Sequence, residues 1–583
     1  MVRSMDDAKT AIHAAQSGGT SVSAHNTNGA TASQHEQKQR STRISRHAPG
    51  PILMRAFALI VSAMLLAACA ERPPATAFER PVSHALPATD ATPLAAALAA
   101  PERAHPDQSG FRVLSDGTEA LQMRIALARA ATKTLDMQYY IAEEDTTGKL
   151  LLAAAFFAAD HGVRVRMLVD DLNFKDIDRV MAALNSHDKI EIRVFNPFGS
   201  SETSFYQRSQ NFFTKVGAFT RRMHNKAMIA DNQIAIVGGR NLGDEYFSAS
   251  PTLQFRDIDV LAAGPITADI SASFDAYWGD SNAYPLRALN KQKFDPHELD
   301  DMRNELRAHW RKNADPYNAK PLNATPLAAQ IANDGLGLVW ASAEFKVDSP
   351  EKMKLPADQY KSPPMQRLVE LMHDAQREFL ITSPYFVPHQ AGVDALGQLV
   401  QRGVTVKVLT NSLAATDAVA VQAGYSPYRV PLLQRGVQLY EFKPTPGDAA
   451  PKAGLFGSQS KASLHAKTYV IDRKTLVIGS MNLDPRSAHL NTELALVIHS
   501  PRLADQVAQL FDKATAPAVS YHVTLATPSE LAMLRYSATP QAKLVWTDEE
   551  NGQLRHYNLD PGAGFYRNAL TGLFLLLPVD EQL

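Results

Sequence analysis

The chain has 583 residues, 45% of them hydrophobic, which excludes a wholly disordered or fibrous protein and leaves room for two or more domains with large buried cores. Its 59 Lys and Arg stand against 60 Asp and Glu, a net charge of −1, so it lacks the basic excess by which polyanion binders attract nucleic acid. A single cysteine, Cys69, excludes an internal disulfide.

The first fifty or so residues are rich in Ser, Thr, Ala, Gln and His, carry no apolar periodicity and read as disordered. Arg40, Arg43, Arg46 and Arg55 then precede the apolar run FALIVSAMLLAA, which ends in Leu66-Ala67-Ala68-Cys69. A dozen apolar residues fall short of the ~20 a bilayer requires, so the run reads as the h-region of a signal, with Met54 a candidate start. Its end resembles a bacterial lipobox. That likeness implies cleavage before Cys69, lipidation of its thiol and a tethered, periplasm-facing protein; Ala70 favours the outer membrane. Residues 1–70 are thus leader and signal, and 71–106, dominated by Pro and Ala, read as a tether.

From residue 107 to 284 helices alternate with strands. Asp116 and Glu119 are spaced as a capping box before ALQMRIALARAA, TLDMQYYI follows as a strand, a helix ends at Gly162, VRVRMLVDD is a strand, a helix lies around 176–185, and IEIRVF is a strand. Residues 341–525 repeat that order with MQRLVELMHDA, REFLITSPYF, VDALGQLVQRG, VTVKVLTN, YRVPLLQRG and VQLYEF. Such alternation predicts a mostly parallel sheet with helices on both faces in each half. Residues 285–340 read as a connector containing the helical stretch HELDDMRNELRAHWRK, with a lid over the cleft as the alternative. In 526–583, WTDEENGQLRHYNLDP predicts a hairpin turning at Asn551-Gly552, followed by a short apolar tail that either lies in a membrane interface or closes the core. Phe205, Phe212, Phe213 and Phe219 mix with Arg208, Lys215, Arg221 and Arg222 before the first motif, a run that suits either a lipid interface or a loop packed on the core.

The pattern H-x-K-x4-D-x6-G-[GS]-x-N occurs twice, at His224/Lys226/Asp231/Gly238/Asn241 and at His465/Lys467/Asp472/Gly479/Asn482. The histidines stand 241 residues apart, as do Gly162 and Gly403, so the repeat covers whole domains. Two histidines can divide the roles of attacking base and proton donor, and two lysines with two asparagines can cradle a phosphate diester. Charge and donors fixed around a phosphoryl transition state can carry much of the catalysis, so no metal or other cofactor is expected. Asp231 and Asp472 each lie between two apolar runs at a turn, where they are expected to shape a hairpin rather than touch substrate.

At these residues the chain resembles the phospholipase D superfamily, from about Phe111 to the C-terminus. The resemblance implies two pseudo-twofold-related α-β-α sandwich domains of an α/β fold that share one active-site cleft within a monomer. It implies a catalytic set of His224, Lys226, Asp231, His465, Lys467 and Asp472, with His224 as nucleophile forming a phosphohistidine and His465 as acid and base. Asn241, Asn482 and the Ser480 hydroxyl would hold the phosphate, with Gly239 replacing that hydroxyl in the first copy. Asp257 and Glu493 would each orient the histidine of the opposite half. With the terminal LLPVDEQL, the double motif also looks like bacterial cardiolipin synthases, particularly their C subfamily. That likeness implies phosphatidyl transfer between phospholipids at a membrane. Hydrolytic phospholipase D is the alternative, followed by a nuclease, for which no nucleic acid partner is expected, and a noncatalytic lipid-binding protein.

Overall fold

Strands buried on both faces need helices above and below, and the chain supplies them in each half. The computed structural model describes residues 78–85, 87, 92–171, 178–197, 221–250, 252–289, 296–317, 326–444, 462–533, 543–550 and 552–575. The first half contributes β1 (Ser109–Leu114), β2 (Thr134–Tyr139), β3 (Arg164–Asp170), β4 (Ile190–Phe195), β5 (Ala227–Ala230), β6 (Ile234–Gly238), β7 (Gln254–Arg256), β8 (Asp259–Ala263) and β9 (Ala283–Pro285). The second contributes β10 (Val339–Val347), β11 (Glu378–Thr382), β12 (Thr405–Asn411), β13 (Gln438–Phe442), β14 (Ala462–Leu464), β15 (Thr468–Ile471), β16 (Thr475–Gly479), β17 (Leu494–His499), β18 (Ser520–Leu525), β19 (Leu544–Glu550) and β20 (Gln553–Tyr557).

Neighbour pairings give one continuous sheet. The first half runs β9-β4-β3-β2-β5-β6-β8-β1, and the second runs outward from β10 as β17-β16-β15-β11-β12-β13-β18-β19-β20. Read outward from the centre, β1-β8-β6-β5-β2-β3-β4-β9 and β10-β17-β16-β15-β11-β12-β13-β18 have the same order. The two meet at the antiparallel β1–β10 pair, Gly110 opposite Trp340. Within this sheet, among the described residues, only β2-β3-β4 and β11-β12-β13 are parallel, so each half is mixed rather than mostly parallel. The reason is local. Motif residues fold as hairpins, β5–β6 and β15–β16, whose short turns force antiparallel neighbours.

Helices Gly117–Ala130 and Thr146–Asp160 cover one face of the first sheet, and Ile266–Trp278 packs into a second core that both halves share. In that shared core Phe274 and Trp278 join Val507 and Phe511 of helix Pro501–Ala514. Gly162 and Gly403 each end a helix with φ near +87° and +88°, a left-handed conformation that costs glycine little.

Described parts of the region read as a tether are packed against the body. Ser83 and Pro81 carbonyls accept from Arg166 and Arg193, and Ser83 Oγ accepts from Trp278 Nε1 at 3.0 Å. Thr92 caps helix Pro93–Ala104, with Pro93 at its first turn, and Leu94 and Leu98, four apart on one face, enter the first core. The connector helix, Pro296–Asn313, buries Met302 and Leu306 in that same core and pairs Arg303 with Asp160, so it lies along helix Thr146–Asp160. The tail hairpin β19–β20 turns at Gly552, φ +77°, and helix Phe565–Phe574 buries Arg567 and Thr571 while Phe565, Tyr566 and Leu573 face solvent. No helix among the described residues is long and apolar enough to cross a membrane. Cys69, the leader, residues 205–219 of the aromatic and basic run and the terminal LLPVDEQL lie outside the described residues.

Candidate active site

Each motif enters its hairpin from an extended segment anchored at both ends. Asp170, the last residue of β3, accepts from Met223 N and Arg222 Nη1, both at 3.0 Å; its counterpart Asn411, ending β12, grips Leu464 N at 2.8 Å and Leu464 O at 2.9 Å. These contacts fix the residue before each histidine. Across the dyad, His224 N donates to Thr492 O at 3.0 Å and His465 N donates to Arg256 O at 2.8 Å, so each motif is stitched to the other half by its backbone. β7 and β14 pair beside them.

The side chains cross in the same way. His224 Nδ1 lies 2.9 Å from Glu493 Oε2, and His465 Nδ1 lies 2.6 Å from Asp257 Oδ2; each carboxylate thus comes from the opposite half. Both carboxylates are buried, whereas the histidine side chains keep 9% and 7% of their surface. With Nδ1 bonded to a carboxylate, Nε2 is the nitrogen left for chemistry. Burial drives the His224 ring down to about 4, against the pull of Glu493, and burial with Lys467 beside it drives His465 down to about 3, so both rings are neutral before substrate arrives. Burial alone would raise Glu493 and Asp257, but the facing imidazoles and lysines outweigh it and hold both below the usual carboxyl range.

Lys226 and Lys467 each donate one N–H to the carbonyl of their own motif histidine. Burial lowers Lys226 well below its ordinary value and brings Lys467 down to about 8. Lys467 also acts electrostatically on Lys226, and each lysine acts on the histidine of the other half, so the charges of the two motifs reach one another. Desolvated cations beside neutral imidazoles suit an anionic tetrahedral group, whose arrival restores the missing countercharge.

The remaining expected residues divide. Asn241 donates through Nδ2 to Tyr246 OH at 2.9 Å and accepts from Ile141 N at 3.2 Å, while Asn482 Oδ1 is buried without a protein partner among the described residues. The Ser480 hydroxyl donates to Glu493 and accepts from Leu494 N at 3.1 Å, so it holds the carboxylate rather than facing a phosphate as expected. At Gly239 a Cβ would stand 2.3 Å from Asp257 Oδ1, so the absent side chain makes room for that carboxylate. Asp231 and Asp472 stay away from the histidines: Asp231 accepts from the backbone of Thr132, Lys133 and Thr134, and Asp472 from Gln376, Arg377 and Glu378. Both have positive φ, as do Asn232 and Arg473 after them, which is the geometry of a type I′ hairpin turn.

Sequence reasoning missed the aromatic walls. Tyr140 meets the His224 ring edge-on at 5.1 Å, and Tyr246 and Phe255 lie 5.3 and 4.9 Å from His465. It also missed Asp170 and Asn411, although their common spacing of 241 was available. Glu143, Asp145 and Glu245, all partly exposed, bring carboxylate oxygens within 4.8 Å of one another and could hold a cation; burial and the neighbouring acids push Glu143 up to about 7.

The family model described as "Cardiolipin synthase, PLD-like domain" matches residues 124–278 and 368–515. The chain is 37% identical over 485 residues to cardiolipin synthase C of Escherichia coli (strain K12), covering 82% of this chain and 96% of that protein. It is 30% identical over 499 residues to an uncharacterized protein of Helicobacter pylori (strain ATCC 700392 / 26695), covering 84% and 93%. Against cardiolipin synthase A of Pseudomonas entomophila (strain L48) the identity is 28% over 410 residues, covering 69% and 68%.

Proposed function

The chain belongs to the cardiolipin synthase family of phospholipase D-like proteins, and from that premise we propose that it is a phosphatidyltransferase making cardiolipin from phosphatidylglycerol and a second phospholipid. The observation that carries this reading is the crossed pair of histidine–carboxylate contacts beside two buried lysines. In the first step His224 Nε2 attacks the donor phosphorus. The bond from phosphorus to the departing alcohol breaks, and His465 supplies that oxygen with a proton. Negative charge on the bound phosphate favours the protonated form of His465 that this step requires. In the second step the hydroxyl of the acceptor lipid loses its proton to His465 and attacks phosphorus, and the bond from phosphorus to His224 breaks. Lys226 and Lys467 balance the equatorial oxygens throughout, Asn241 and Asn482 help hold the phosphate, and Asp257 and Glu493 hold the tautomers. Cleavage before Cys69 and lipidation of its thiol would seat this site at the periplasmic surface of a membrane, the outer one by the preference noted at Ala70, with no nucleic acid partner and a monomer complete in itself.

The test incubates purified full-length chain with phosphatidylglycerol and phosphatidylethanolamine and identifies products by mass spectrometry, beside His224→Ala. Cardiolipin from the parent chain and none from the variant is expected. Phosphatidic acid alone would replace transfer by hydrolysis, and cleaved DNA with untouched lipid would refute the lipid reading altogether.

A further inference from the structure

The carboxylates that hold the two histidines have unequal surroundings, although the pseudo-twofold makes their positions comparable. Two related pairs of residues create the inequality. At the first pair stand Gly239 and Ser480; at the second, again 241 residues apart, stand Tyr246 and Ser487. In the first half neither residue offers Asp257 a hydroxyl bond: Gly239 only admits the carboxylate, the Tyr246 hydroxyl accepts from Asn241 Nδ2, and Asp257 Oδ1 accepts instead from the backbone N–H of Ile258 at 2.8 Å. In the second half both do. Ser480 donates to Glu493 Oε2, and Ser487 Oγ donates to Glu493 Oε1 at 2.8 Å.

Ser487 is itself held by a closed ring of buried groups. Its N–H donates to Asp484 Oδ1 at 2.7 Å, and its carbonyl accepts from Lys352 Nζ at 2.8 Å. Lys352 pairs with Asp348 Oδ2 at 2.7 Å, and the same oxygen accepts from Glu493 N at 2.9 Å. Lys352, Asp348, Ser487 and Glu493 are all fully buried. A carboxylate that already accepts two hydroxyl bonds has less electron density to offer an imidazole N–H, so it stabilises an imidazolium less than a carboxylate without them.

We propose that Ser487 is a positioning residue of the transfer reaction: through Glu493 it lowers the proton affinity of His224, the ring that attacks phosphorus in that reading. The proposal rests on the transferase reading, which supplies the roles of the two rings. The charged groups facing Glu493 are His224 and Lys226 from the first motif, Asp348 and Lys352 after β10, and Asp484 in its own half; His224 also feels Lys467. Ser487→Ala keeps all of these groups in place, removing besides the Glu493 bond only the Ser487 side-chain bond to Asp484 and the acceptor of Asn482 N.

The experiment titrates each ring without substrate. Full-length parent, Ser487→Ala and Ser487→Thr are treated with diethyl pyrocarbonate, which acylates only unprotonated imidazole, across a pH series, and the peptides carrying His224 and His465 are quantified by mass spectrometry. In Ser487→Ala the freed Glu493 pulls harder on the His224 N–H, so the His224 midpoint is expected to move up by about half to one pH unit while His465 stays put. Ser487→Thr, which keeps the hydroxyl, is expected to restore the parent midpoint. A His224 midpoint unchanged in Ser487→Ala, an equal shift of both rings, or failure of Ser487→Thr to restore it would overturn the proposal. Because no lipid is present, lack of transfer activity would count against the transferase reading alone.

Discussion

Replacing Glu493 by glutamine changes one atom yet should nearly abolish transfer, and the geometry says why. His224 Nδ1 lies 2.9 Å from one carboxylate oxygen and 3.1 Å from the other. Whichever way the introduced amide is turned, its NH2 stands close to Nδ1, and a donor facing a donor is repulsive. The ring relieves this by moving its proton to Nε2, which removes the lone pair proposed to attack phosphorus. The hydroxyls of Ser480 and Ser487 compete for the one remaining acceptor oxygen, so the amide has no orientation that satisfies all its neighbours. In Ser-His-Asp enzymes, replacing the carboxylate by its amide lowers kcat about 10⁴-fold by the same tautomer error. A fall of about 10³ to 10⁴, or about 4 to 5.5 kcal/mol of barrier, is expected for Glu493→Gln. The assay is single-turnover release of glycerol from phosphatidylglycerol, with thermal melting as the control for folding. A variant that melts normally and keeps more than a tenth of the parental rate would refute the orienting role of Glu493.

Two further outcomes bear on charge and location. In the proposed mechanism Lys467 binds phosphate as a cation, and with its ammonium brought down to about 8, kcat/KM should fall as pH rises past 8. Stability should move the other way: a lysine whose folded value lies below its unfolded 10.5 is more protonated when unfolded across that window, so folding gains as pH rises from 8 to 10.5. A pH–rate profile flat to about 10 would exclude the lysine's role, and thermal melting over the same range separates lost charge from lost fold. In a Gram-negative host, Cys69→Ser should leave the chain out of the detergent-soluble membrane fraction with an unprocessed leader, whereas the parent should carry acyl chains on its first mature peptide. A parent whose mature peptide carries no lipid mass would remove the anchor.

Repetition made the site legible, and long-range contacts limited what else could be read. A spacing of 241 residues marks both motifs, both helix-ending glycines and, overlooked, Asp170 and Asn411 that clamp the approach to each histidine. Repeated positions advertise themselves because each copy vouches for the other. In FRDIDV two acids stand two apart, the spacing of one strand face, yet Asp257 lies just before β8 and meets His465 while Asp259 is consumed by Arg124 and Arg240. The resemblance selected the first, since periodicity alone does not separate them. The helix at Pro93–Ala104 escaped because PLAAALAAPERA, with its two prolines and its alanines around the leucines, has the composition of a tether. Only the partners of Leu94 and Leu98 in the first core make it a helix worth forming.

The unequal support of the two histidines could not have been read from the motifs, because the motifs are what the halves share. It comes from where they differ: Gly239 against Ser480, Tyr246 against Ser487, and Lys352 and Asp348 from the stretch that follows β10. A duplicated fold begins with two equivalent rings, and a reaction needing an attacker and a proton donor at once gains when they cease to be equivalent. Asymmetry is cheapest to introduce in the shell that touches a carboxylate, since a change there alters the ring's proton affinity without moving the ring. The glycine that admits Asp257 and the serines that load Glu493 are therefore two halves of one arrangement. Exchanging them would misfit both: a serine side chain in place of Gly239 would strike Asp257, and a glycine in place of Ser480 would leave Glu493 short of a donor.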